Sequence, residues 1–215
     1  MGPEGWRALH EVAAIARRAG LLVIADGKRG DVPVSAQAYA EALLGETSTP
    51  WGAIPGLGAD AVTANPLLGR DAMQPLIDAA ARSGAGVFAL VRTTNPGAAE
   101  LQDQPSEQPL HERIAAIVAD AAPQLQGEEG LSGMGAVVGA TAPELIGRLR
   151  ELMPAAIFLV PGVGAQGGRP ADLAAAFAAG PAAAIVAASR SIAGAGDPAA
   201  AAEQLRAEVW AASGS

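Results

Sequence analysis

The residues best suited to chemistry crowd into positions 21–31, LLVIADGKRGD, where five apolar residues run straight into Asp26, Lys28, Arg29 and Asp31. Two carboxylates flank one amine within six positions, in a chain of which only 17% of residues are charged. Asp26 and Lys28 are two apart, so at the end of an extended strand both side chains point to one face. Asp31 follows after a further turn of loop, with Gly27 and Gly30 giving the backbone latitude. Nearby opposite charge favours the ammonium form. Lys28 therefore reads as a proton donor, not as a Schiff-base nucleophile, which must first shed its proton. The plainer reading is a solvated turn whose surface ion pairs contribute little.

A second stretch, PGVGAQGG at 161–168, carries Gly162-x-Gly164-x-x-Gly167 directly after an apolar run. The spacing matches a dinucleotide-binding fingerprint, but that reading needs an acidic residue about 20 positions on to hold a ribose. The corresponding stretch, AAAIVAASR, has no carboxylate. The same glycines suit a phosphate monoester, gripped by backbone N–H groups of the loops after the last two strands of a barrel. Arg190, in AASRSIAGAGDP one strand later, supplies a charge-assisted contact for that phosphate. Against this stands the reading in which the glycines only make tight turns and Arg190 is a surface charge.

The elements that must position these groups alternate along the chain. Strand-like runs occur at 21–25, 61–64, 86–91, 135–140, 157–161 and 183–188, and helical patterns at 34–45, 70–83, 109–121, 143–152, 170–179 and 198–212. Strand, loop and helix repeated six times predict a parallel sheet with right-handed crossovers. The runs are apolar at successive positions, as expected for strands covered on both faces. An open doubly wound sheet and a (β/α)8 barrel both fit, although the barrel normally has eight units and about 250 residues. The chain opens on an amphipathic helix, with Trp6, Leu9, Ala13 and Ala16 on one face and no strand before it. It reads as beginning mid-fold. No Pro/Ser-rich linker or charge block divides the 215 residues, so a single domain over 1–215 is expected.

Composition narrows the partners. A net charge of −8 with 3% aromatic residues lacks the basic face and stacking rings of a nucleic-acid binder. An anionic ligand must then be held by a local site, because the overall field repels it. There is no cysteine, and His10 and His111 are far apart, so no metal centre is expected. No run reaches the roughly 18 apolar residues of a membrane helix, and no basic leader is visible. The expectation is a soluble cytoplasmic protein without a membrane partner.

Taken together, DGKRGDVPVSAQAYAEALLG, VRTTNPGA, VVGAT, VPGVGAQGG and SRSI resemble, in order and spacing, the orotidine 5′-phosphate decarboxylase family, in particular its longer bacterial subgroup with Ala36, Tyr39 and Ala40. The resemblance covers essentially the whole chain. It implies an α/β fold, a TIM barrel of the ribulose-phosphate-binding type, here truncated at its N-terminal side to about six βα units. The implied activity is a carboxy-lyase of de novo pyrimidine biosynthesis, converting orotidine 5′-phosphate to UMP and carbon dioxide without a cofactor. Lys28 would protonate C6 of the pyrimidine, Asp26 would sit beside the substrate carboxylate, and Asp31 would join the array across a homodimer interface, with Ser35 near the partner's ribose. Thr94, where the family commonly has serine, would bind the base; Pro161, Gln166 and Gly167 would lie against base and phosphate. Arg190 would hold the phosphate, preceded here by Ser189 instead of the usual glycine.

The family's first strand contributes a further aspartate and its second a further lysine, and neither has a counterpart here. Residues 1–5 match the loop after the second strand, which puts about 60–70 family residues ahead of them. The 215-residue chain alone is therefore expected to be inactive or nearly so. Two alternatives stay open: a magnesium-using decarboxylase or aldolase for sugar phosphates on the same barrel, and a catalytically silent UMP-binding paralogue.

Overall fold

The computed structural model describes residues 2–214. Contacts group the chain into two units, Met1–Phe88 and Ala89–Ser215. The division falls within the strand Gly86–Arg92.

The first unit starts with helix α1 (Pro3–Arg18), opened by a proline that needs no N–H partner there. The resemblance puts residues 1–5 in a loop; instead α1 takes in Pro3, Glu4 and Gly5, and Met1 lies outside the described residues. There follow β1 (Ile24–Arg29), α2 (Pro33–Leu43), an antiparallel hairpin of β2 (Glu46–Thr49) and β3 (Gly52–Pro55), β4 (Ala61–Ala64), α3 (Arg70–Ser83) and β5 (Gly86–Arg92). Strand order runs β1-β4-β5, and β1 pairs with β4 in parallel.

The first strand is displaced from the apolar run that predicts it. Leu21 and Leu22 lie outside it, 61% and 82% exposed, while the charged residues through Arg29 lie inside it. The reason is the partner. β4 begins at Ala61, and just before it the Asp60 carboxylate takes the Val23 N–H (2.7 Å) while Val23 O accepts from Asp60 N (2.9 Å). The ladder can open only at Ile24↔Ala61. Between Ala25↔Val62 and Arg29↔Ala64, β1 advances four residues while β4 advances two, a bulge that re-aims the side chains between. Beyond it Gly30 passes so close to Asn65 that a Cβ would stand 2.3 Å from its carbonyl oxygen. The hairpin of β2 and β3 is not visible in the sequence, because ETST and GAIP lack the alternating apolar pattern that marks a strand.

The second unit comprises the end of β5, α4 (Ala98–Leu101), α5 (Leu110–Ala121), β6 (Ser132–Val138), α6 (Pro143–Leu152), β7 (Ala156–Pro161), β8 (Ala184–Ala187), α7 (Arg190–Ala193) and α8 (Pro198–Ala212). Strand order is β5-β6-β7-β8, with β6–β7 and β7–β8 parallel. Met134, Ala136, Ile146, Leu149, Phe158, Val160 and Leu173 are buried between strands and helices. The expected helix at 170–179 is a 3₁₀ run, Pro170–Phe177. Its last turn closes tightly, Gly180 N–H onto Phe177 O at 2.8 Å, because the Ala176 carbonyl is taken by Arg150. Arg150 is buried over the ring of Phe158 and donates to the carbonyls of Met153, Ala156, Ala176 and Ala183. Burial pushes its pKa down to about 10, still charged at neutral pH. It ties the end of α6, β7 and the approach to β8 into one piece.

Gly30→Ala drives a methyl group into the Asn65 backbone and is expected to destabilise the chain by about 1–3 kcal/mol. Thermal unfolding checks this; an unchanged midpoint would show that the strand end relaxes freely.

Candidate active site

In the first unit Lys28 is the one non-glycine among the described residues with a positive φ, +48°. That left-handed backbone costs about 1–3 kcal/mol in a residue with a Cβ and persists only where surroundings enforce it. They do so here. The Lys28 N–H donates to Thr63 Oγ1 at 2.9 Å, and the same hydroxyl donates to Asp26 Oδ1 at 2.8 Å. Lys28 Nζ then lies 2.6 Å from both oxygens of Asp26. Asp26 and Lys28 do meet, but through this bulge and not through simple strand alternation, and the latitude is taken by Lys28 itself, neither Gly27 nor Gly30 having a positive φ. Burial pushes the Asp26 carboxyl up, yet the hydrogen bonds from Lys28 and Thr63 and the lysine's charge outweigh it, so the group is held below the usual carboxylate range.

Thr63, 1% exposed, was not among the expected site residues. Its signal was there: it is the single polar residue of AVTA. Asp31 is not brought to the lysine; its carboxylate accepts from the Val32 N–H at 2.8 Å. Ser35 lies in the first turn of α2, partly buried. A largely apolar cavity of about 880 Å³ runs beside β1, lined by Trp6, Leu9, Val12, Ile24 and Tyr39, with Asp26 among its walls.

In the second unit Thr94 and Gln166, 72 residues apart in sequence, meet through a Gln166 Nε2–H···Oγ1 hydrogen bond of 3.1 Å. The Thr94 methyl occupies a slot made by two glycines: a Cβ on Gly139 or on Gly162 would stand 2.8 or 2.9 Å from it. Serine would leave that slot empty, so the threonine is locked in one rotamer with its oxygen toward Gln166. Pro161 ends β7, its carbonyl accepting from Ala140 N at 2.8 Å. Gly167 turns the loop with φ +94°. The N–H groups of Gly164, Gly167 and Gly168 bond to Gly168 O, Gly164 O and Gly162 O, so these three donors are committed within the loop. The expected row of free amides is reduced accordingly, which leaves more of an anion's charge to a side chain. Arg190 is exposed at the first position of α7. The pairing Pro161↔Ala187 sets its loop beside the glycine loop, and Ser191 lies against Gly164.

A family model described as the orotidine 5′-phosphate decarboxylase / HUMPS family matches residues 3–205. The chain belongs to this family. A relative named orotidine 5′-phosphate decarboxylase from Rhodopirellula baltica is 43% identical over 196 residues, 89% of this chain and 63% of the relative. One of the same name from Deinococcus radiodurans is 43% identical over 197 residues, 89% of this chain and 66% of its own length. The chain thus spans about two thirds of the length of these curated relatives. The solved structure of Leishmania donovani OMP decarboxylase is 35% identical with a TM-score of 0.74, covering 100% of this chain and 77% of the other. The parallel α/β architecture is therefore the family's. Among the described residues no helix is long and apolar enough to cross a membrane.

Replacing Lys28 by alanine removes both a hydrogen bond and a charge that hold Asp26 ionised, leaving burial to act. The Asp26 carboxyl is expected to titrate at higher pH in Lys28→Ala than in the wild type, read by carbon NMR of its Cγ. Its depressed pKa contributes stability above the ordinary aspartate value of about 3.9 that is lost as pH falls through the folded-state value. An unmoved titration would mean that the pair is not formed in solution.

Proposed function

We propose that the chain carries the decarboxylase chemistry of its family, taking orotidine 5′-phosphate to UMP and carbon dioxide in the cytoplasm, with Lys28 as proton donor. The observation that carries this reading is the strained Lys28, held by Thr63 and paired with Asp26. Loss of carbon dioxide leaves an electron pair on C6 of the pyrimidine. An ammonium group fixed beside that carbon stabilises charge that exists only in the transition state and then delivers its proton to it. Asp26 pairs with the lysine and stands next to the departing carboxylate.

The second unit supplies recognition. Thr94 and Gln166 offer a hydroxyl and an amide to the polar edge of the base, with Pro161 against its face. Arg190 takes the phosphate as a charge-assisted contact, assisted by the turn at Gly167. Phosphate binding remote from C6 supplies energy for seating the carboxylate against Asp26. In a homodimer Asp31 and Ser35 would act at the partner's site, a role that fits Asp31 lying apart from Lys28 within its own chain.

Lys28→Ala is expected to lower conversion of orotidine 5′-phosphate by at least about 10²-fold relative to the wild-type chain, with UMP affinity little changed. Release of carbon dioxide and calorimetry measure the two. Measurable turnover that is equal in both chains would sink the assignment of Lys28. Arg190→Ala is expected to weaken UMP binding about tenfold or more, the loss of one charge-assisted phosphate contact; an unaltered affinity would remove the phosphate from this loop.

A further inference from the structure

The loop that presents Thr94 is held by a polar cluster with no part in the chemistry just described. Arg92, at the end of β5 and 8% exposed, makes a two-pronged ion pair with Asp103, Nε to Oδ1 at 2.8 Å and Nη2 to Oδ2 at 2.9 Å. Its remaining arm donates to the Thr93 carbonyl. The Asp103 carboxyl is held low, chiefly by the hydrogen bond from Arg92. On the other side stands His111, buried on α5, with Nδ1 at 2.8 Å from the Gln102 carbonyl and 3.1 Å from Asp103 Oδ1. Gln102 then reaches back. Its Oε1 accepts the Thr93 N–H at 2.8 Å, and its Nε2 donates to Thr93 Oγ1 at 2.9 Å.

Buried ion pairs are weak devices for stability, because desolvation offsets much of their attraction; one use they do have is to select a single arrangement. What this one selects is the residue next to the site. Thr93 is bound to Gln102, which caps α4, through both its N–H and its hydroxyl, and the hydroxyl also donates to Asn95 Oδ1 at 2.7 Å. The chain bends at Thr94, the next residue, whose methyl fills the Gly139–Gly162 slot and whose hydroxyl meets Gln166.

We propose that Arg92, Gln102 and Asp103, backed by His111, are positioning residues that hold Thr94 in register with Gln166 and thereby set recognition of the pyrimidine base. The proposal rests on the nucleotide reading above and concerns the base alone, not the phosphate. A merely structural cluster would affect all ligands alike. A positioning cluster should affect only those that carry a base.

Calorimetry of the wild-type chain, Asp103→Asn and Gln102→Ala with UMP and with ribose 5-phosphate separates the two. The expected result is roughly tenfold weaker UMP binding in both variants, with ribose 5-phosphate affinity changed less than about twofold. In a Thr94→Ala background the same substitutions should cost little more, because the group they position is gone. Should Asp103→Asn fail to fold, Gln102→Ala, which leaves the ion pair intact, decides the matter. Unchanged UMP affinity, or equal losses for both ligands, would overturn the proposal. A wild-type chain that binds neither ligand overturns the nucleotide reading itself and this assignment with it.

Discussion

Thr63 gives one hydroxyl to two tasks, accepting from the backbone of Lys28 and donating to the carboxylate of Asp26. These two hydrogen bonds fix the geometry of Lys28 and Asp26. The left-handed turn at Lys28 is sustained because its N–H has a fixed partner on the neighbouring strand, and the ammonium lands on Asp26 because the same partner fixes the carboxylate. The bulge in β1 between Ala25 and Arg29 spans the same residues. A regular strand would satisfy the ladder and lose the pair.

The second unit solves a different problem with the same means. Its groups are neutral side chains whose usefulness depends on direction, so the structure spends its rigidity on orientation. Two glycines shape a slot for one methyl group, the glycine loop closes on its own carbonyls, and Gln102, next to the Arg92–Asp103 pair, holds Thr93 through its N–H and hydroxyl. Arg150 serves the frame: one guanidinium gathers four carbonyls that the short helix, the strand and the 3₁₀ run would otherwise leave competing for partners. Arg190 is the exception, exposed and available to an anion.

The regular elements were largely legible. Apolar runs at 61–64 and 86–91 became β4 and β5, and the helical patterns at 70–83 and 143–152 became α3 and α6 with the same bounds, because burial and period there agree with local propensity. The failures are at places where a neighbour overrides local preference. The run at 21–25 predicts a strand, but the Leu21 N–H goes to Ala16 O and the Val23 N–H to the Asp60 carboxylate, so the ladder opens at Ile24. The run at 170–179 has the period of an α-helix, and Arg150 takes the Ala176 carbonyl near its end.

By itself the sequence determined the alternation of strands and helices, the crowding of Asp26, Lys28 and Asp31, the glycine loop with its arginine, and through their combination the family. Those are properties of residue type and spacing, which a linear chain carries in full. Only the tertiary structure decided that Lys28 would be strained, that Thr63 would hold it, that Asp31 would stand apart from it, and that Thr94 would meet Gln166 across 72 residues. Each of these depends on a hydrogen bond or a contact between segments distant in the chain. Such a contact has no signature in either segment alone, since a threonine in an apolar strand looks the same whether its hydroxyl binds a lysine backbone or nothing.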